Sequence, residues 1–387
     1  MDRPLRIALL GGGQLGRMFI ENALRYDVEV HVLDPDAACP CAWLAHRFVQ
    51  GAFNDRDTVM RFAADADVIG IEIEHVSVEA LELLERQGKV VVPAANTLRT
   101  IQDKGLQKEF YVKHGIPTPA YARIERAAQV DTFPQLLPGF LKTTTGGYDG
   151  KGVQPVTGTA DIPDDFNGPY ILEKQVAIAK ELAVIAVRGS DGRTAAYDPV
   201  EMVFNPELNL VDHLLAPARC EPEVIEEAKA LAMQVAGAFG GTGIYAVEMF
   251  LTTDGALLVN ETAPRAHNSG HYTIEACPSS QFDQLLRAYM QWPIGDVRMH
   301  GLAAMVNLVG EGGSGTPRLE GTDNILGRPA TFIHLYGKAK TRTGRKMGHV
   351  TVIASKEEEI DESVAAIKAH GKVVPMNRME PVKHQRQ

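Results

Sequence analysis

Strands and helices alternate without a break through residues 6–92, and this pattern most limits the fold. Arg6–Gly12 (RIALLGG) is a short apolar strand, Gln14–Tyr26 has helical spacing, and Val28–Asp34 (VEVHVLD) alternates as a strand. Asp57–Ala66 is helical, Val68–Glu74 (VIGIEIE) is a strand, Ser77–Gln87 is a capped helix, and KVVVP closes the series. Strands joined by helices imply right-handed crossovers, so the expected unit is a parallel, doubly wound α/β sheet. The character changes after a helix over Asn96–His114. GIPTPA reads as a linker, strand and turn patterns fill Phe140 to Ala216, and a long helix covers Glu221–Phe239. A β-hairpin follows, then a mixed segment rich in Gly and Pro around 310–330, a helix over Glu357–His370 and a basic tail. The reading is an α/β domain, a central α+β region with a β-rich insertion, and a small C-terminal unit.

Size and charge narrow the functions. The 387 residues, 45% hydrophobic, suffice for two or three domains with cores of their own. With 49 acidic and 39 basic side chains the net charge is −10. That argues against a nucleic-acid partner, because neutralising phosphates needs clustered Lys and Arg. No apolar run reaches the ~18–20 residues of a membrane span, and MDRPLRIALLGGG enters a strand pattern without a signal-peptide layout. Cys39, Cys41, Cys220 and Cys277 make neither a zinc spacing nor a disulfide framework. A cytoplasmic globular protein is expected.

Five stretches and one hairpin carry possible chemistry. Lys142–Gly152 (KTTTGGYDGKG) places four glycines in seven residues beside lysines and threonines. It reads either as a loop wrapping N–H groups around a phosphate or as a surface hairpin loop. GGGQLG fits G-x-G-x-x-G through Gly11, Gly13 and Gly16, between a strand and a helix, with Asp34 ending the next strand. A dinucleotide or a mononucleotide phosphate would satisfy it equally. Glu72 and Glu74 of EIE would share a strand face at the sheet's carboxyl end, facing a sugar hydroxyl, an amine or solvent. The hairpin YAVEMFLTTDGALLVNETAP turns at Asp254-Gly255, and a two-residue loop pairs Thr253 with Ala256, Phe250 with Val259 and Glu248 with Glu261. A three-residue loop would shift this pairing by one. Facing carboxylates destabilise a sheet unless a cation lies between them, and hard oxygen ligands suit Mg²⁺ or Mn²⁺ with phosphates completing the shell. A solvated face is the other reading. PRAHNSGHY gathers Arg265, His267, Asn268, Ser269 and His271, where the arginine favours an anion over a metal. KAKTRTGRKMGH, Lys338–His349, reads as a solvated basic loop or a second anion clamp.

Together GGGQLGRM, EIEHV, TTGGYDGKG, NETAPRAHNSGHYT and GRKMGH resemble the ATP-grasp superfamily and, within it, the family of N5-carboxyaminoimidazole ribonucleotide synthases. The resemblance implies four segments: a Rossmann-like domain over 1–95, a linker helix and β-rich lid over 96–177, the second ATP-grasp domain with the metal hairpin over 178–300, and a small C-terminal domain over 301–387. It implies that Gly147, Tyr148, Asp149, Gly150, Lys151, Gly152 and Val153 close over ATP, whose phosphates meet Lys104 and Lys142. Glu173, Lys174, Gln175 and Val176 would hold adenine, Glu181 the ribose, and Glu248 and Glu261 Mg²⁺ (or Mn²⁺), with Asn260 beside them. Arg265, His267, Asn268, Arg345 and Lys346 would hold bicarbonate, with Tyr148 and Asp149 completing the pocket. Gly13, Gln14 and Leu15 would take the 5′-phosphate of 5-aminoimidazole ribonucleotide, helped by Lys338, with Glu74 near its ribose or base. The implied reaction carboxylates that ribonucleotide with ATP and bicarbonate through carboxyphosphate, in purine biosynthesis, and the family implies a homodimer. One departure is Asn205, which aligns where some relatives place a histidine near the nucleotide; His213 is distant in sequence. Alternatives are a formate-using ATP-grasp ligase, an NAD-binding oxidoreductase and a non-catalytic nucleotide-binding regulator.

Overall fold

Short Val-, Ile- and Leu-rich runs covered on both faces make the first sheet. In the computed structural model, which describes residues 3–146, 152–163, 168–208 and 210–376, its strands are β1 (Leu5–Leu10), β2 (Val28–Asp34), β3 (Arg47–Gln50), β4 (Val68–Ile71) and β5 (Val90–Val92). They run parallel in the order β3-β2-β1-β4-β5. Helices α1 (Gln14–Ala23), α2 (Arg56–Phe62) and α3 (Val78–Arg86) connect them. The doubly wound sheet expected from the alternation is present. β3 escapes the sequence reading because its end residues, Arg47 and Gln50, are exposed and polar.

Two expected elements are cut short. The strand expected over Val68–Glu74 stops at Ile71, and the chain bends through Glu72–Glu74, so these carboxylates do not share a strand face. The single helix expected over Asn96–His114 is two, α4 (Ala95–Ile101) and α5 (Lys104–Lys113). Asp103 ends the first by capping the second: its carboxylate accepts from the Leu106 amide at 2.9 Å.

A four-stranded antiparallel sheet follows, with β6 (Tyr121–Ile124), β7 (Gly139–Thr143), β8 (Val153–Val156) and β9 (Tyr170–Lys174) in the order β6-β9-β7-β8. It has a small core of its own around Leu141, Val156 and Leu172. The largest sheet holds β10 (Ile178–Arg188), β11 (Thr194–Ala196), β12 (Val200–Asn205), β13 (Leu210–Ala216), β14 (Gly243–Thr252), β15 (Leu257–Ala263), β16 (Leu302–Val309), β18 (Thr331–Leu335) and β19 (Lys346–Ala354). Its order is β15-β14-β10-β12-β13-β16-β19-β18, with β11 beside β10. The short strands β17 (Pro317–Glu320) and β20 (Lys372–Pro375) pair separately.

Alternation along these strands gives the largest sheet two apolar faces. Leu182, Val184 and Ala186 pack under α6 (Pro222–Phe239), and Ala304, Val306 and Val350 under α10 (Glu357–His370). The opposite face, with Ala183, Ile185, Met202 and Met305, joins one core with α1 and α8 (Gln281–Met290). This core joins the first sheet's helices to the largest sheet.

The β14–β15 hairpin corrects its expected register. The Thr252 amide donates to Ala256 O at 2.9 Å, and Phe250 lies opposite Leu258, not Val259. The loop is therefore one residue longer than a two-residue turn, with Gly255 at φ +89°. A bulge at Asn260 then shifts the register back, so Glu248 does face Glu261. Two one-residue departures cancel, and only the carboxylate pair of the three expected pairs survives.

Candidate active site

The facing carboxylates meet two lysines from separate elements. Lys104, the first residue of α5, places Nζ 2.9 Å from Glu261 Oε2, and its charge holds the Glu261 carboxyl well below the usual range. Glu248 is pushed the other way, first by burial and then by the charges of Glu261 and Glu181. Lys142 on β7 lies 2.8 Å from Glu173 Oε1 and 3.5 Å from Asn260 Oδ1. A bulge re-aims the strand locally, and here it turns Asn260 toward this lysine while Glu261 meets Lys104. The Glu173 side chain is 2% exposed, and Lys108 holds its second oxygen at 2.8 Å. The Lys174 and Gln175 amides donate to Ala120 O and Pro138 O.

The PRAHNSGH segment is clamped from behind by Gln281 of α8. Gln281 accepts from the His267 amide at 2.9 Å, donates to its carbonyl at 2.8 Å and contacts His271 Nδ1 at 3.0 Å. His267 Nδ1 accepts from the Ser269 amide at 3.3 Å, which leaves Nε2 as the protonated nitrogen, 3.5 Å from Glu248 Oε1. Burial, then the charges of Arg265 and Lys346, push the His267 pKa down to about 3. His267 is thus a neutral N–H donor beside the carboxylate pair. The Asn268 amide exchanges hydrogen bonds with Asn307 at 2.9 and 3.1 Å, so it is oriented by β16. Arg345 donates to Lys340 O at 2.7 Å. Lys346 begins β19, close enough to lower the pKa of His267 and of Glu248.

Behind this segment the rings of His271, His349 and His334 stack, with centroids 4.8 Å and 4.6 Å apart. His271 and His349 are fully buried, and burial keeps both well below the usual imidazole pKa. In the unfolded chain each protonates near pH ~6.5, so below that pH the unfolded state binds more protons. Stability from the stack is complete above pH ~6.5 and lost as pH falls, by about 1.4 kcal/mol per unit for each histidine. Thermal melts between pH 7 and 5.5 should show this, and His349→Asn should flatten the dependence. An equally steep dependence in the variant would contradict it.

The GGGQLG turn is partly filled by the chain's own carboxylates. Asp34 Oδ2 accepts from the Gly12 amide at 2.7 Å, and Glu72 Oε1 from the Leu15 amide at 3.1 Å. A Cβ on Gly13 would sit 2.4 Å from Glu72 Oε1, so this glycine admits a carboxylate from within. Asp34 also accepts from the Asp36 amide at 2.8 Å, and being 9% exposed it does not offer itself to a dinucleotide ribose. Lys338 does reach the turn, donating to Gln14 Oε1 at 2.7 Å and to Lys346 O at 2.6 Å. Glu74 is 3.1 Å from Arg265 Nε.

Glu181 lies on the same sheet face as Glu248, since Ala183 pairs with Glu248, and burial raises its carboxyl. Asn205 does not share that face. Glu181 pairs with Met202, so Met202 and Phe204 face the site, and Phe204 packs on the same core. The Asn205 side chain instead accepts from the Glu207 and Leu208 amides at 2.9 and 3.0 Å. His213 pairs with Val203, also on the far side, and contacts Asp212. Gly147, Tyr148, Asp149, Gly150 and Lys151 lie outside the described residues; Gly152 and Val153 follow them, Val153 paired with Lys142. Sequence reasoning missed Lys108, Gln281 and Asn307. Lys108 alone had a signal, four residues after Lys104 on one helix face. A cavity of about 560 Å³ lies elsewhere, between the starts of α6 and α10, lined by Arg219, Glu226 and Glu357.

Comparison with known proteins finds matches along most of the chain. Residues 109–282 match the ATP-grasp domain, 5–102 the ribonucleotide synthetase preATP-grasp domain, and 303–363 the phosphoribosylaminoimidazole carboxylase C-terminal domain. The class is therefore ATP-grasp. The N5-carboxyaminoimidazole ribonucleotide synthase of Bacillus subtilis is 35% identical over 360 residues, covering 91% of this chain and 92% of that one. The crystal structure of the Thermotoga maritima synthetase superposes with a TM-score of 0.87 at 38% identity, covering 96% of this chain and 100% of that one. The Aspergillus clavatus synthase in complex with ADP and 5-aminoimidazole ribonucleotide gives 0.86 at 34% identity, covering 95% and 99%. The chain belongs to the N5-carboxyaminoimidazole ribonucleotide synthase family. It also matches phosphoribosylaminoimidazole carboxylases of a plant and yeasts, of whose length it spans about two thirds (66% and 67% for two of them).

Proposed function

We propose that the chain carboxylates 5-aminoimidazole ribonucleotide, using ATP and bicarbonate. The observation that carries this is the Glu248–Glu261 pair lying within reach of both Lys104 and the His267 N–H donor. Bicarbonate oxygen takes the γ-phosphoryl group and ADP leaves. The exocyclic amine then attacks the carboxyl carbon of carboxyphosphate: a C–N bond forms, phosphate leaves with the C–O pair, and the amine loses a proton. Lys104 and Lys142 hold the nucleotide phosphates, Glu181 the ribose hydroxyls, and the backbone of residues 173–176 the adenine. Gly147–Val153, with Tyr148 and Asp149, cover the phosphates against water.

Arg265, His267, Asn268, Arg345 and Lys346 hold bicarbonate and donate to the oxyanion that develops on it. The ribonucleotide phosphate sits beside Gln14 and Lys338, toward the start of α1, and Glu74 beside its ribose or base. Two hard carboxylates that repel each other fit Mg²⁺ (or Mn²⁺) shared with substrate phosphates, and among the described residues no group of three or more His, Cys, Asp or Glu side chains is arranged to hold a metal ion by itself. Such an ion supplies charge neutralisation on the transferring phosphoryl group. We also carry over from the family a homodimer, which sedimentation tests, and a cytoplasmic location; among the described residues no helix is long and apolar enough to cross a membrane.

ADP release measured with the ribonucleotide present, once with bicarbonate and once with formate, tests the reading. Release that requires bicarbonate and yields the N-carboxylated ribonucleotide is expected. Release with formate instead would assign a different ligase.

A further inference from the structure

Three elements bring two lysines to one buried carboxylate. Glu173 of β9 is 2% exposed; Lys142 of β7 holds Oε1 and Lys108 of α5 holds Oε2, both at 2.8 Å. One ammonium would suffice for one carboxylate, so the second is surplus. The two lysines are not equally fixed. Lys108 is 3% exposed and also donates to Thr118 Oγ1 at 2.6 Å, while Thr118 donates to Val259 O at 2.7 Å. Lys142 is more exposed, and beyond Glu173 has a 3.5 Å contact with Asn260 Oδ1. It stands beside the glycine-rich stretch and near Lys104.

We propose that Lys108 is a positioning residue for ATP, holding the charge of Glu173 so that Lys142 can turn to a nucleotide phosphate. A buried carboxylate stripped of its only cation is strongly unfavourable. With Lys108 in place, Lys142 leaves Glu173 without creating that state. Without Lys108, Glu173 and Lys142 form a closed one-to-one pair, and the phosphate must compete with it. The inference rests on the reading of Lys142 as a phosphate contact. Lys108 itself touches no substrate in this account. Its influence passes through Glu173, from a helix turn below Lys104.

The experiment measures ATP binding by calorimetry in Mg²⁺, with steady-state kinetics, on the full-length chain. Lys108→Met should weaken ATP by about 10-fold or more, the scale of one charge-assisted hydrogen bond, with kcat at saturating ATP changed far less. Lys108→Met with Glu173→Gln should recover most of the lost affinity, because nothing then pins Lys142. Loss of packing around Lys108 would not be recovered in this way. Lys108→Arg, which keeps the charge, should stay close to the wild type and guards against a folding defect in the methionine variant. Unchanged ATP affinity in Lys108→Met, or a loss that Glu173→Gln fails to restore, overturns the inference while leaving Lys142 on the phosphate. Lys142→Ala with unchanged ATP affinity overturns that reading and the inference together.

Discussion

Glu261→Gln is expected to lower turnover by about 10³-fold or more, the effect of losing several kcal/mol of charge stabilisation on a transferring phosphoryl group. The substitution keeps the shape and removes the charge. It leaves Glu248 without the facing carboxylate that makes a divalent site. Folding should survive, because the Lys104–Glu261 pair is partly exposed (side chains 25% and 46%) and such pairs contribute about 1 kcal/mol or less. A second readout separates metal from mechanism: the divalent-ion dependence of ATP binding should weaken in the variant while ATP binding in chelator stays as it is in the wild type. Near wild-type turnover in saturating Mg²⁺ would remove Glu261 from the site.

That residue also shows how sequence legibility works here. The period-2 rule and a turn dipeptide brought Glu248 and Glu261 together, yet the intermediate pairs were wrong. A glycine in the left-handed region lengthened the loop, and a bulge at Asn260 compensated. Neither leaves a mark in local propensity. Asn205, left open as a departure, shows a related limit: one position along a strand reverses the face, so Met202 and Phe204, and not Asn205, lie on the side of Glu181. The α/β alternation was legible because each segment carries its own period, and α10 appears with the bounds read from sequence. Contacts assembled from distant segments were not legible. Glu173 reaches Lys142 across 31 residues, and the imidazoles of residues 271, 334 and 349 meet only after three separate elements pack. The glycines of GGGQLG illustrate a further limit. Glycine reports that something approaches the backbone closely, not whether it is a ligand or, as with Glu72, the chain's own side chain.

Lys346→Ala is expected to lower the carboxylation rate by about 10²-fold or more, the scale of removing one preorganised oxyanion donor. Lys346 opens β19 beside the His267 segment, and its charge reaches both His267 and Glu248. A cation there meets negative charge that builds on the bicarbonate carboxyl only as the reaction proceeds. Interactions made only in the transition state appear in kcat and leave ground-state affinity alone. ATP affinity should therefore change little, since its proposed contacts, Lys104, Lys142 and Glu181, stand on α5, β7 and β10. Nor should stability fall far, because the Lys346 carbonyl, which accepts from Lys338, remains in the variant. Steady-state kinetics with ATP and bicarbonate varied separately would decide the matter. A variant with weakened ATP binding and an unchanged maximal rate would place Lys346 on the nucleotide, and intact turnover would return it to the solvated basic loop.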